Sequence, residues 1–86
     1  MLMDNLKILS DQSRIEILNL LKKGDRSVSE IVEETGLSQP NVSAHLRVLR
    51  TAGLVKSRKD GKRVIYQIDT TVFQDVITWA QAFLAE

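Results

Sequence analysis

Residues 37–55 read LSQPNVSAHLRVLRTAGLV, and this stretch decides the fold. Ser38 is suited to cap a helix, and Pro40 is tolerated in the first helical turn that follows. Gly53 is a typical helix terminator. The stretch therefore predicts a helix over residues 39–52. Its apolar residues recur at helical spacing along one face: Val42, Leu46 and Leu49.

A shorter amphipathic helix is predicted just upstream. Ser27 and Glu30 have the spacing of a capping box, which starts a helix that ends before Gly36. Ile31 and Val32 are its expected buried residues. Two amphipathic helices joined by a short turn that contains glycine form the helix-turn-helix pattern.

Two further helices are predicted before this pair. Leu2, Leu6 and Leu9 give a short first helix that ends near Ser10. We expect Ser10 to cap a second helix, over residues 11–23, which Gly24 ends. That helix has a wide apolar face: Ile15, Ile17, Leu18, Leu20 and Leu21.

The apolar period changes to two after residue 53. Asp60-Gly61 is a strong hairpin signal between two extended runs. On the second run, one set of alternating residues is Val64, Tyr66 and Ile68, and the other is Arg63, Ile65 and Gln67. A basic hairpin directly after a helix-turn-helix is a wing.

A last helix is predicted over residues 71–85, capped by Asp69 or Thr70. Its apolar residues cover more than one face: Val72, Phe73, Val76, Ile77, Trp79, Ala80, Phe83 and Leu84. A peripheral helix of a monomer needs only one apolar stripe. The surplus predicts that a second chain covers the rest.

The length of 86 residues allows one domain, residues 1–86, and a marginal core for a lone monomer. The net charge of +1 conceals an asymmetry: residues 38–66 carry seven bases against the single acid Asp60, and the remainder carries ten acids against five bases. Charge concentrated in one stretch favours a polyanion as partner. The alternative is a merely solvated basic surface.

Several classes of protein are disfavoured. The chain has no cysteine, so disulfides and thiolate metal sites are excluded. Residues 1–7 contain Asp4 and lack the features of a secretory signal, and no apolar run is long enough to span a membrane, so we expect a cytoplasmic protein. The acids are spread over predicted helix surfaces and caps, and no nucleophile has a histidine partner, so we do not expect an enzyme.

Residues 37–55 resemble the recognition segment of the ArsR/SmtB family of bacterial repressors. The resemblance extends upstream through residues 9–14 with Ile17 and Leu18, and downstream through the wing and Tyr66. The tail, residues 69–72 with Gln74, Asp75 and Trp79, resembles the small metal-independent autorepressors of the SdpR type. The matching positions of the central segment are Leu37, Ser38, Gln39, Asn41, Val42, Ser43, Leu46, Leu49, Gly53, Leu54 and Val55.

The expected fold is mainly α (α+β), a winged helix-turn-helix with about five helices and a two-stranded β-hairpin wing. The resemblance implies a symmetric dimer that pairs through its first and last helices and represses transcription from a palindromic operator, often that of its own operon. The corresponding interface residues are Leu2, Leu6, Val72, Phe73, Val76, Trp79, Ala80 and Phe83.

Base edges in the major groove are read from the first turns of an inserted helix. The candidates here are Gln39, Pro40, Asn41, Ser43 and Ala44, with Arg47 one turn further along, and the helix cap Ser38 is a further DNA-binding candidate. The candidates for phosphate or minor-groove contacts are Arg47, Arg50, Lys56, Arg58, Lys62 and Arg63. A simpler alternative is that Ser38, Gln39 and Asn41 only cap and solubilise the helix. Pro40 and Ala44 depart from the polar residues common in the family, so base preference does not transfer from relatives.

The resemblance also bears on effectors. The positions that correspond to one family metal site are Ser27 and Ser29, and those of the other are Thr70, Val72, Phe83 and Glu86. Hydroxyls do not replace thiolates as ligands for soft metals, and one ligand of the second set remains. We expect no metal sensing and no cofactor, which leaves constitutive repression or relief through a partner protein. For the single histidine, His45, a half-buried hydrogen-bonded side chain is favoured over a ligand.

Two other functions remain open at this point. One is a winged-helix module that binds protein, although such modules usually lose the basic wing. The other is a non-specific architectural DNA binder, which would give a footprint without a defined site.

Overall fold

The computed structural model describes residues 7–85. In this part of the chain the winged helix-turn-helix class predicted from the sequence is confirmed, with four helices and a three-stranded sheet. Most of the first predicted helix lies outside these residues, and only its end is described, as a helical turn at residues 7 and 8. The elements are α1 (Gln12–Lys23), β1 (Arg26–Ser27), α2 (Val28–Thr35), α3 (Gln39–Thr51), β2 (Val55–Asp60), β3 (Arg63–Ile68) and α4 (Thr70–Leu84).

The core lies where α1, α2 and α3 meet the start of β2. Each helix contributes residues of its predicted apolar face, although Val32, which was predicted to be buried, is only partly buried at the edge of the core. Leu54 and Val55, which follow α3 after a short turn, complete the core. The buried residues are Ile17, Leu18, Leu21, Ile31, Val42, Leu46, Leu49, Leu54 and Val55. Because these side chains anchor α3 along its inner face, its outer face is held rigidly toward solvent.

The capping box of α2 is confirmed. Ser27 Oγ accepts a hydrogen bond from the Glu30 N–H at 3.2 Å, and Glu30 Oε1 accepts one from the Ser27 N–H at 2.8 Å. The prediction that Ser10 caps the next helix upstream was wrong. Asp11 caps α1, and its Oδ1 accepts from the N–H groups of Ser13 and Arg14. A carboxylate takes both bonds and favours the positive end of the helix dipole.

The turn between α2 and α3 is three residues long and begins at Gly36. Gly36 has a φ of 74°, the left-handed conformation that a side chain disfavours, and its N–H bonds to the Val32 carbonyl at 3.0 Å. Ser38 then caps α3 as predicted, with Oγ accepting from the Asn41 N–H at 3.3 Å. The turn thus fixes the direction in which α3 leaves α2.

The sheet has three strands rather than the predicted two, in the order β1-β3-β2. The short strand β1 pairs antiparallel with β3, with Ser27 opposite Ile65. Two residues are too few to show an alternating pattern, so this strand was not predicted. The tip of the hairpin is also shifted from the expected Asp60-Gly61: Asp60 pairs with Arg63, which leaves Gly61 and Lys62 as the loop.

The last helix begins at Thr70, one residue before the predicted start. Asp69 is its cap, and Oδ1 accepts from the Thr71 N–H at 3.0 Å. None of the residues of α4 is buried. Val72 and Phe73 are partly covered by the core, whereas the rest of the helix leaves the body of the chain.

Candidate nucleic-acid interface

The first turns of α3 present a polar surface to solvent. The predicted base-reading side chains are all exposed: Ser38, Gln39, Pro40, Asn41, Ser43 and Ala44. Directly behind them, Val42 and Leu46 are buried in the core. Because the inner stripe is anchored, the outer side chains lie on a rigid support rather than on a loop.

A groove of about 460 Å³ lies between the wing side of α3 and strand β3. We call it the recognition groove, defined by its lining residues Ser43, Arg47, Arg50, Thr51 and Tyr66. The predicted cations Arg47 and Arg50 are brought together here. Thr51 and Tyr66 were not among the predicted DNA-binding residues.

The register of the hairpin divides the wing into two faces. Cross-strand partners share a face, so Ser57 and Lys59 lie on the face of Tyr66, which lines the recognition groove. The other face, which we call the outer wing face, carries Lys56, Arg58 and Arg63 with Ile65. Three of the four predicted wing cations therefore lie on the outer wing face, and the fourth, Lys62, lies in the loop between the strands.

The arginines of the outer wing face are paired with acids. Arg58 Nη1 lies 2.8 Å from Asp25 Oδ2 and also donates to Gln67 Oε1 at 3.0 Å. Arg63 Nη2 lies 3.0 Å from Glu30 Oε1. These pairs are exposed, and such pairs contribute little stability, but each sets a negative group beside the cation.

Glu30 is held in its ionised form. The N–H and then the hydroxyl of Ser27 lower the pKa of its carboxyl, with a further contribution from Arg63. Asp69 behaves similarly, because the Thr71 N–H lowers its pKa and Lys56 adds to the effect. Three of the predicted DNA-contacting cations, Lys56, Arg58 and Arg63, thus lie near carboxylates.

His45 is half-buried on α3, as its position predicted. Arg14 Nε donates to His45 Nδ1 at 3.3 Å, and Arg14 Nη1 donates to the Ile8 carbonyl at 3.3 Å. The interpretation of His45 as a hydrogen-bonded structural residue is confirmed. Arg14 joins the start of α1 to the middle of α3.

The predicted dimer residues fall into three groups. Leu2 and Leu6 lie outside the described residues. Val72 and Phe73 pack partly against the core of their own chain, and Val76 and Ala80 are half-buried. Trp79 and Phe83 are 56% and 68% exposed, and their rings stack with centroids 5.9 Å apart.

Sequence reasoning had a partial signal for the residues it missed. A two-residue loop at Gly61 and Lys62 fixes every cross-strand pair, and so places Lys59 on the face of Tyr66. Which of the two faces lies against α3 depends on how the hairpin packs on the helix. The alternation of residues along the strands does not predict that packing. Thr51 was treated as the end of a helix, not as part of a site.

In this structure the helix-turn-helix of α2 and α3 has a basic groove beside α3, and the β2–β3 hairpin that follows α3 is a wing. This combination defines a winged helix-turn-helix DNA-binding protein. Residues 11–57, more than half of the chain, match the model of the family described as "Bacterial regulatory protein, arsR family". The chain belongs to this family. It is a DNA-binding regulatory protein and not an enzyme, as the sequence predicted.

Individual relatives agree with this assignment. The chain is 39% identical to the transcriptional repressor SdpR of Bacillus subtilis over 91% of this chain and 87% of that protein. It is 41% identical to Mycobacterium tuberculosis Rv0081, whose crystal structure matches with a TM-score of 0.75 over 93% and 81% of the two chains. An NMR structure of the homodimeric winged helix-turn-helix domain of Mb0332 from Mycobacterium bovis, a possible ArsR-family regulator, is 32% identical. It matches with a TM-score of 0.78 over 99% and 79% of the chains.

In the part of the chain that the structure describes, no helix combines the length and the apolar character needed to cross a membrane.

Proposed function

We propose that the chain is a homodimeric transcriptional repressor that binds a palindromic operator. In this proposal two copies pair through α4 and the first predicted helix, and α3 of each copy enters the major groove. One observation carries the proposal: α3 is fully anchored and polar outside, whereas α4 leaves large apolar side chains in water. The first feature suits DNA, and the second suits another copy of the chain.

The exposed stripe of α4 supports the pairing. Ile77, Trp79, Phe83 and Leu84 are each about half or more exposed, which is unusual for contiguous large apolar residues on a monomer. Next to them, a groove of about 600 Å³ between α1 and α4 is lined largely by apolar side chains, including Ile15, Leu18 and Phe73. The homodimeric state of the Mycobacterium bovis relative points the same way.

The proposed DNA contacts are of two kinds. Gln39, Asn41, Ser43 and Ala44, with Ser38 and Pro40, are proposed to face base edges. Gln39 suits adenine, because its amide both donates and accepts, and Ala44 leaves room for a thymine methyl group. The proposed phosphate or minor-groove contacts are Arg47, Arg50, Lys56, Arg58, Lys62 and Arg63. Arg58 and Arg63 lose their ion pairs with Asp25 and Glu30 if they bind a phosphate. We therefore expect them to contribute less to DNA affinity than Arg47 and Arg50.

Repression without a metal effector is part of the proposal. The SdpR relative is named a transcriptional repressor, and control of the chain's own promoter is the simplest arrangement. Ser27, which the resemblance places at a position of a family metal site, uses its hydroxyl to cap α2. We therefore expect a gel shift on the chain's own promoter that added zinc does not reverse. Release by zinc would contradict metal independence and would leave the DNA-binding assignment in place.

The decisive experiment is selection of bound duplexes from a random library. The proposal predicts an enriched palindrome whose half-sites lie about one helical turn, roughly 34 Å, apart. A single enriched half-site would contradict the dimeric arrangement. Binding with no enriched sequence would identify an architectural DNA binder, and no binding to any duplex would favour a protein-interaction module.

A further inference from the structure

The recognition groove contains hydrogen-bond donors in excess of what the fold uses. Its lining consists of two guanidinium groups and three hydroxyl groups, and no carboxylate from residues 7–85 lines it. None of the three hydroxyls, on Ser43, Thr51 and Tyr66, makes a hydrogen bond to another described residue. Two guanidinium groups and three hydroxyl donors, with no carboxylate beside them, are suited to an anion.

The two arginines of the groove differ from all others in the chain. The chain has six arginines, and four of them bond to described residues: Arg14 to His45, Arg26 to Glu34, Arg58 to Asp25 and Arg63 to Glu30. Within residues 7–85 only Arg47 and Arg50 have no such partner. Both arginines without a described partner are therefore in the groove.

Three donors on α3 lie in a row. Ser43, Arg47 and Arg50 are spaced by four and three residues, which places them along one side of the helix, and Thr51 follows Arg50 beside this row. Together the four residues span about 12 Å along the helix axis. Tyr66 faces this row from β3. Of the residues proposed to face bases, Gln39 and Ala44 do not line the groove, whereas Ser43 lines it and its hydroxyl is able to serve either a base or a phosphate.

We propose that Tyr66 and Thr51, together with Arg50, form a phosphodiester-binding site in the recognition groove. This inference rests on the proposed function and deepens it. One DNA strand runs along α3 between the helix and the wing, and the two hydroxyls donate to phosphate oxygens that Arg47 and Arg50 neutralise. The site fixes the register of the helix on the backbone and carries no sequence preference itself. The paired cations of the outer wing face contribute less.

The test uses variants that remove only the hydroxyls. Tyr66→Phe and Thr51→Val keep the shape of each side chain, and neither hydroxyl bonds to another residue of 7–85, so thermal unfolding should match that of the wild type. Binding is measured by fluorescence anisotropy on two labelled duplexes, the library-selected sequence and a random sequence, at two salt concentrations. The matched control is Thr78→Val, at an exposed threonine that neither lines the groove nor belongs to the predicted dimer residues of α4.

We expect Tyr66→Phe and Thr51→Val each to weaken binding about tenfold on both duplexes, as for loss of a hydrogen bond to a charged group. Arg50→Ala should lower the slope of log affinity against log salt by about one, and Arg58→Ala should lower it less. Thr78→Val should bind like the wild type. Wild-type affinity of both hydroxyl variants, or a loss confined to the selected duplex, would overturn the site. A wild-type chain that binds neither duplex would overturn the proposed function as well.

Discussion

Helices α3 and α4 are similar in length, 13 and 15 residues, and both carry an apolar stripe, but only the stripe of α3 is buried within the chain. The stripe of α3 is completed within the chain, where Val42, Leu46 and Leu49 are at most 1% exposed. On α4 no residue is buried. The outward surface of α3 is consequently polar, and that of α4 includes Trp79 and Phe83.

The difference teaches which surface each helix offers to a partner. A helix whose apolar face is already covered gains nothing from an apolar neighbour, so α3 is available for a hydrated, charged ligand such as DNA. A helix with an uncovered apolar face is stabilised when that face leaves water. The amphipathic pattern alone does not separate the two cases, because burial depends on what the rest of the chain brings to each stripe.

The largest expected effect comes from truncating each stripe in turn. Leu46→Ala should lower the free energy of unfolding by about 2–5 kcal/mol, because it leaves a cavity in a complete core. Phe83→Ala removes a side chain that the single chain does not bury, so its effect should act through the dimer. The measurement is urea unfolding at low and high protein concentration.

For the wild type and Leu46→Ala, the unfolding midpoint should rise with protein concentration, and for Phe83→Ala this dependence should weaken. The contrast between the two helices would be contradicted if Phe83→Ala lowered the free energy of unfolding as much as Leu46→Ala and no variant showed a dependence on protein concentration.

A second prediction separates the two functions of the outer side of α3. Gln39→Ala should reduce discrimination between the selected and a mismatched duplex by about 1–3 kcal/mol, the value of a bidentate contact with a base. Arg47→Ala should weaken binding to both duplexes equally. Competition binding measures both ratios. Equal loss of discrimination in the two variants would show that α3 is not divided into base-facing and phosphate-facing parts.

A smaller effect on stability should follow from removing the hydrogen bond that links α3 to α1. Arg14→Ala removes the bonds to His45 and to the Ile8 carbonyl, and should lower the free energy of unfolding by about 1 kcal/mol. Arg14→Lys, which keeps the charge but cannot reach both acceptors in the same fork geometry, is the control and should recover only part of the loss. Chemical denaturation that finds Arg14→Ala as stable as the wild type would mean that this link does not help to hold α3.

The smallest expected effect is on acid stability, and again α3 and α4 differ. Asp69 caps α4, and the Thr71 N–H holds its pKa below the usual 3.8. Because the folded value is the lower one, this stabilisation is complete above pH 3.8 and is lost as the pH falls through the folded pKa. The cap of α3 is Ser38, which does not titrate.

Asp69→Asn preserves a good cap without a charge, so the loss of stability on acidification should be smaller than in the wild type. The checking measurement is thermal unfolding as a function of pH. Identical acid profiles for the two proteins would show that Asp69 does not contribute.

Much of the fold could be predicted because its signals are local. The caps Ser27 and Ser38, the glycine turn and the hairpin each depend on a few neighbouring residues. Where two good caps were adjacent, as at Ser10 and Asp11, the sequence did not choose between them. The choice depends on where the preceding turn ends. The Ser10 hydroxyl donates a hydrogen bond to the Lys7 carbonyl at 2.6 Å instead of capping α1.

The site was less predictable, for a physical reason. The concentration of charge in residues 38–66 indicated an anionic ligand, but charge counts do not show which cations are paired. Arg58 and Arg50 look alike in the sequence, and only the tertiary contact with Asp25 separates them. Tyr66 in turn enters the groove through the docking of β3 on α3, a contact between distant parts of the chain.

In the proposed function, α4 joins two chains while the polar side of α3 in each chain contacts DNA. The most direct test of this arrangement is the number of chains bound to one selected duplex. Sedimentation equilibrium of the complex should give two 9.7 kDa chains per duplex, and Trp79→Asp, which charges the exposed stripe of α4, should abolish that stoichiometry together with tight binding. A single wild-type chain per duplex that binds with full sequence preference would contradict the dimeric arrangement.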